Sequence, residues 1–401
     1  MTLAPPTKLY PGIETLRRAA AADAEAVGRL RGLAERLGEI EPPAVTSRRA
    51  APVGFTPGRH DYVSMQTYWW PNPDTPDGLP YVHRDGRIGP DVIRFDRPRL
   101  DLHADGVRTL TLAALLADGA SAAASAETAA RWLRAWFLDP ATRMAPHLRH
   151  AQFLPGQNTG TFVGGIDLTI RLPAYLETID LLLNGFPGVL TGEERAGLTR
   201  WWSDMLDWLW SDPVRRWHDR AENNLGVYYD RAVAFLARRL GREAVAADRA
   251  EGLMPRRVRR QIEPDGRLPH ELRRTRSFGY CLMNVLGFCE LCRVLDPEGD
   301  TLFGRSDADG RSVARAVDWL WGVASGPGAW PYEEVQGVQW DRLAVVWGTL
   351  PEALRRRYPL ERVSHRLSPA VRENPWGVYL RPALHPFRPA AWDEFPELLP
   401  A

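Results

Sequence analysis

Apolar residues return every three or four positions in segment after segment of this 401-residue chain. Leu168, Leu172, Tyr175, Leu176, Ile179 and Leu182 are one such run. That spacing gathers side chains on one face of an α-helix, and the alternation that marks strands is scarce. The pattern predicts helices over 12–38, 105–118, 125–138, 166–184, 193–211, 225–241, 251–262, 277–295 and 310–323. Pro155-Gly156, Pro187-Gly188, Pro264-Asp265-Gly266 and Pro327-Gly328 punctuate the connections. Successive amphipathic helices bury their apolar faces most simply as antiparallel hairpins. The expected class is all-α, with hairpins in a ring and long functional loops meeting over a central cleft. No fixed period repeats, which excludes a simple solenoid. Three stretches are expected: an N-terminal helix and connection over 1–60, a helical body over 61–345, and a segment over 346–401 rich in Pro and aromatics. That last stretch holds Trp376, Tyr379, Phe387, Trp392 and Phe395 and is expected to wrap the body irregularly.

Charge excludes several partners. The 51 basic and 50 acidic residues leave a formal charge of +1, so no bulk field draws nucleic acid or an anionic membrane. No run of eighteen apolar residues suggests a membrane helix. The N-terminal residues lack an apolar h-region, so the expected location is the cytoplasm. Cys281, Cys289 and Cys292 have no second pair or His cluster to complete a zinc site, and read as buried thiols of a reducing compartment. Arg256, Arg257, Arg259 and Arg260, then Arg273, Arg274 and Arg276, form either a basic strip for an anionic substrate or a solvated helix face.

Four constellations carry chemistry. The first is Asp61–Gly86, with three Tyr, adjacent Trp69 and Trp70, four Pro and two Asp-Gly pairs. Pro forbids an ordinary helix there, and the aromatics forbid a disordered linker. Tyr68, Trp69, Trp70 and Tyr81 either stack on sugar rings or cap the core. The second is Gln152–Asp167, where glycines admit close approach and Gln157 and Asn158 offer amides. Asp167 can equally cap the helix beginning near Ile166. The third is Asn223-Asn224-Leu225-Gly226, suited to polar recognition, to helix capping, or to both. The fourth is Arg273-Arg274-Thr275-Arg276-Ser277-Phe278-Gly279-Tyr280. With Ser277 as N-cap, Tyr280 falls in the first helical turn. The helix N-terminus and the nearby guanidinium groups then favour negative charge on the phenol, which can act as base and then acid. Otherwise Tyr280 is a core tyrosine with its hydroxyl satisfied.

In order, DYVSMQTYWWPNP, PDGLPYVHRDG, WFLDPATRMAPHLRHAQFLPG, NNLG and LPHELRRTRSFGY resemble the alginate lyase superfamily of polysaccharide lyases. The resemblance spans roughly 60–345. It implies an incomplete α/α toroid and β-elimination at a 1,4-linked uronate, with no metal or cofactor. An arginine six residues before the tyrosine is closer to the glucuronan-type lyases, which points to Arg274 rather than Arg273. By resemblance, Tyr280 removes the C5 proton and protonates the departing O4, while Asn158, Asn224 and Arg274 neutralise the carboxylate. Glucuronate and mannuronate carry H5 and O4 on one ring face, so one tyrosine serves both. The implied partner is an anionic oligosaccharide or a small uronate-containing molecule.

One departure stands out. Family members typically read N-N-H-G where this chain has Leu225, and leucine exchanges no protons. Tyr280 then acts alone, or His150, His218 or His270 takes the histidine's place, or the protein binds carbohydrate without turnover or acts on a small metabolite. His270 lies three residues before Arg273, just ahead of the arginine run.

Overall fold

The computed structural model describes residues 8–48, 50–157, 167–297 and 301–380. They are overwhelmingly helical, and the fold class is all-α. Strand is confined to two short pairs: Val63–Met65 parallel to His150–Phe153, and Trp69–Trp70 antiparallel to Val82–His83. The described residues divide into two compact units, one within 23–214 and one from 8–22 with 215–379.

In the first unit the helix Arg97–Leu115 is buried on nearly every side. It packs against Ala24–Glu39, Gly119–Leu133 and Leu172–Gly185. Gly106 permits this, because a Cβ there would lie 2.3 Å from the Trp132 ring. The helix starts eight residues before the predicted 105, and its charged residues Arg97, Asp101 and Asp105 are buried. Arg171 reaches Asp101 at 2.8 Å and Asp105 at 3.1 Å. Buried His103 bonds Trp132 O at 2.9 Å and Tyr175 Oη at 3.0 Å, and burial lowers its pKa to about 4. It is a neutral core histidine.

Other boundaries move for local reasons. The predicted 12–38 helix breaks into Ile13–Ala21 and Ala24–Glu39, where Asp23 accepts Ala26 N–H at 2.9 Å and caps the second. The predicted 125–138 helix begins at Gly119 and ends in a π turn at Arg134–Leu138. The helix expected from 166 starts at Leu172, and Asp167 does not cap it. Asp167 is buried and accepts Tyr62 Oη at 3.0 Å, Ser64 Oγ and Gln152 Nε2 at 3.1 Å. Gly192–Trp210 opens with a capping box from Thr191 and Glu194.

In the second unit Asn224–Arg239 packs on Ser277–Leu295, with Gly287 letting Tyr228 and Val227 approach closely. Ser277–Leu295 is long and apolar enough to cross a bilayer, which qualifies the sequence expectation. Asn284 and Glu290 interrupt its apolar run, and 83% of its apolar stretch is buried, so it is a core helix. Glu290 pairs with buried Arg231 and accepts Tyr10 Oη at 2.5 Å. The three cysteines are buried free thiols. The predicted 251–262 helix is a longer run from Glu243, passing through a π turn at Leu253–Val258 around Pro255. Beyond Leu343 the described chain forms short helical turns up to Leu380.

Arg257, within the expected basic strip, is fully buried. It donates to Asp230 at 2.8 and 3.0 Å and to His218 O at 3.0 Å, while Arg249 reaches Asp230 at 2.8 Å. Burial alone would raise the Asp230 carboxyl, but Arg257 and Arg249 together hold it below its usual range. Asp230→Ala leaves two buried guanidiniums short of a carboxylate. It is expected to cost about 3–5 kcal/mol in denaturant unfolding at neutral pH. A loss of about 1 kcal/mol or less would reduce the network to the level of a surface pair.

Candidate active site

The residues singled out by sequence fall in both units. In the first, Trp69–Trp70 and Val82–His83 make a hairpin whose long turn is held by Asn72, its N–H on Gly78 O at 2.8 Å and its Oδ1 on Asp74 N–H. Trp69 and Trp70 remain half-exposed. Trp69 lies 5.2 Å from the His83 ring, and Arg84 lies 4.8 Å over Trp70, whose Nε1–H donates to Arg87 O. Half-buried Tyr68 accepts Arg84 N–H at 2.8 Å through its carbonyl. Tyr81 takes the other alternative. It packs against the cluster of Val63, Met65, Val92, Phe95 and Phe153, and its hydroxyl donates to Asp91 at 2.6 Å. Burial, then Asp91, raises its pKa to about 12, so it is no acid or base near neutrality. Exposed Gln157 donates to Tyr81 O at 3.0 Å, and Asn158 lies outside the described residues.

In the second unit the sequence places Arg274 and Tyr280 six residues apart, and the structure brings them into contact. Arg274 Nη2 donates to Tyr280 Oη at 3.1 Å, and its Cζ lies 4.0 Å from the ring centroid. Both are half-buried, and Arg273 is exposed. A guanidinium donating to a phenol oxygen stabilises negative charge there. The helix end contributes differently from expectation. The N-cap is Arg276, with no side-chain cap, and Ser277 is the first helical residue. Ser277 Oγ donates to Glu333 O at 2.5 Å and accepts Trp330 Nε1–H at 2.7 Å, so it is unavailable as a cap. Glu334 accepts Gly279 N–H at 3.1 Å, setting a carboxylate against the positive helix end.

The consecutive asparagines divide their roles. Asn223 is the N-cap of Asn224–Arg239 and accepts Leu225 N–H at 3.2 Å. Asn224 is buried and turned onto Glu271: its backbone N–H donates at 2.8 Å and its Nδ2 at 3.0 and 3.1 Å. Asn284 Nδ2 adds a bond to the same carboxylate at 3.1 Å. Burial pushes the Glu271 carboxyl up to about 7, against the opposing pull of these donors and Arg274. Neither Glu271 nor Asn284 stands out as a candidate in the sequence motifs. Asn284 did leave a signal, as a lone amide within the apolar run Cys281–Phe288.

The candidate histidines are not equivalent. His218 is fully buried and stacked on Tyr229, with centroids 4.2 Å apart. His150 belongs to the first unit, where it and His147 each place Nε2 at 3.2 Å from Asp61. His270 is half-buried in the one-turn helix Pro269–Leu272. Among the described residues no group of three His, Cys, Asp or Glu side chains is arranged to hold a metal.

By class, the chain is an all-α polysaccharide lyase. It belongs to the alginate lyase family, whose model matches residues 50–330. It is similar to an alginate lyase from Bacteroides ovatus, with 28% identity over 94% of this chain and 98% of that one and a TM-score of 0.79. Alginate lyase A1-III from a Sphingomonas species gives 13% identity, 83% and 86% coverage and a TM-score of 0.46. A histidine-to-alanine variant of A1-III complexed with tetrasaccharide gives 13%, 84%, 88% and 0.48. No curated protein sequence matches.

The raised Glu271 carboxyl fixes the sign of a pH effect. Its folded pKa exceeds the unfolded 4.5, so its contribution is complete below about 4.5 and is lost as pH rises through about 7. Glu271→Gln removes this titration. The fall in unfolding free energy between pH 5 and 8 is expected to shrink by up to ~3 kcal/mol. Chemical denaturation at both pH values measures it, and an unchanged slope would mean an ordinary carboxylate.

Proposed function

We propose that the protein cleaves a 1,4-linked uronate of the glucuronate or mannuronate type by β-elimination, with Tyr280 as both base and acid. The observation that carries this is the Arg274–Tyr280 contact, Nη2 to Oη at 3.1 Å. The phenolate, held by Arg274, takes the C5 proton. The C5–H pair becomes the C4–C5 double bond as the C4–O4 bond breaks, and the new phenol returns the proton to O4. The uronate carboxylate beside C5 needs neutralising as charge develops, a task for Arg274 and the Asn224 segment, with Asn158 a further candidate from sequence. Exposed Arg273 adds attraction for an anionic oligosaccharide. Half-exposed Trp69, Trp70 and Tyr68 offer faces for ring stacking. Tyr81 and Gln157 hold the loop that carries them.

Leu225 gives a second reading its support. It puts an apolar, half-buried side chain where relatives typically carry histidine, which suits binding of uronate oligosaccharides without turnover.

Two measurements separate the readings. Wild-type protein with glucuronan or mannuronate oligomers is expected to yield unsaturated product, seen as new ultraviolet absorbance. Tyr280→Phe is expected to lower kcat by about 10²–10⁴ while calorimetric binding persists. Binding without product from the wild type would favour the second reading, and full activity in Tyr280→Phe would remove the phenol from the chemistry.

Arg274→Lys keeps the charge but gives up the planar fork that spans ring and hydroxyl. It is expected to fall between wild type and Tyr280→Phe in kcat. Wild-type kcat in Arg274→Lys would reduce that contact to packing.

A further inference from the structure

Glu271 touches each segment that carries the second unit's candidate chemistry. It sits on the turn Pro269–Leu272, and its own carbonyl accepts Arg274 N–H at 3.1 Å. Its carboxylate receives the backbone and side-chain amide of Asn224 at the start of one helix and the amide of Asn284 from the middle of another. Asn284 Nδ2 also donates to Gln261 Oε1 at 3.0 Å. All four side chains of this chain of bonds are at most 3% exposed.

An ionised carboxylate accepts only. While Glu271 is charged, both asparagines must turn N–H toward it, and the sense of each amide is fixed. Once protonated, it carries one O–H donor, and an asparagine can reverse to accept it. On the elimination reading above, we propose that Glu271 is the positioning residue of the site, its ionised form holding the Asn224 helix start and the Arg274 turn in the arrangement that lets Arg274 meet the uronate carboxylate. It does not touch substrate itself. The charged and titratable groups near it include His270 and Arg274 on its own segment, Cys281 on the Tyr280 helix and Tyr228 on the Asn224 helix. Burial raises both Cys281 and Tyr228 well above neutrality, so neither titrates alongside Glu271 near pH 7.

The test is a pH–rate profile of the full chain on mannuronate and glucuronate oligomers, read by ultraviolet absorbance. Wild-type kcat is expected to rise through an acidic limb near pH 7, following the raised Glu271 carboxyl. Glu271→Gln is expected to lower kcat by about tenfold or more, leave KM nearly unchanged and abolish the limb. Glu271→Asp is expected to retain a limb and regain part of the rate. Should Glu271→Gln fail to fold, Asn284→Asp decides. A second acid facing Glu271 moves the limb to higher pH. Wild-type kcat and an intact limb in Glu271→Gln, or an unmoved limb in Asn284→Asp, would overturn the positioning role and leave the elimination reading standing. A wild type that makes no unsaturated product overturns both.

Discussion

A buried charge without a partner costs several kcal/mol, and in each unit ion pairs lie deep among the described residues. In one, Arg171 lies between Asp101 and Asp105. In the other, Asp230 lies between Arg249 and Arg257, and Arg231 meets Glu290. Apolar faces decide that helices associate, but leave some freedom in register. A charged pair does not, because one turn of slippage separates the partners. Arg97–Leu115 and Ser277–Leu295 are buried on nearly all sides and still carry such groups, so their neighbours are fixed by polar chemistry as well as packing.

This explains what was legible in the sequence. Each predicted helical segment has a helix in the structure, because periodic burial reports a local face. The ends slipped where a charge points inward. Arg97 and Asp101 fall before the predicted helix start at 105, yet both are helical and core. The turns at Arg134–Leu138 and Leu253–Val258 widen by one residue per hydrogen bond, which no three- or four-residue pattern announces. In the site, Asn223 as cap and Arg274 beside Tyr280 were legible because both are local. Glu271 was not, since its bond to Asn224 spans 47 positions. Asp167, for which a cap was one alternative, is a hub for Tyr62 and Ser64 across about a hundred positions and for Gln152.

Charge around Tyr280 is distributed differently from the simple expectation. The sequence expectation has helix N-terminus and guanidinium both stabilising a phenolate. Glu334 occupies the Gly279 N–H, and a carboxylate there offsets the positive helix end. Arg274 is in direct contact with the phenol oxygen and favours negative charge there, and it meets Tyr280 through both ring and hydroxyl. Lysine presents a point charge and cannot span both contacts as a planar fork does.

Leu225 then bears on stereochemistry as much as on rate. With a histidine beside the tyrosine, base and acid can be different residues on different sides of the ring. With leucine there, and Asn223 and Asn224 committed to a cap and to Glu271, that helix start brings no second proton carrier. A single phenol can remove H5 and deliver to O4 only when both lie on the face it addresses. Guluronate and galacturonate place them on opposite faces and would require the sugar to turn over between the two transfers. If Tyr280 is the one proton carrier, as the proposed mechanism has it, elimination is syn and suits the glucuronate and mannuronate series.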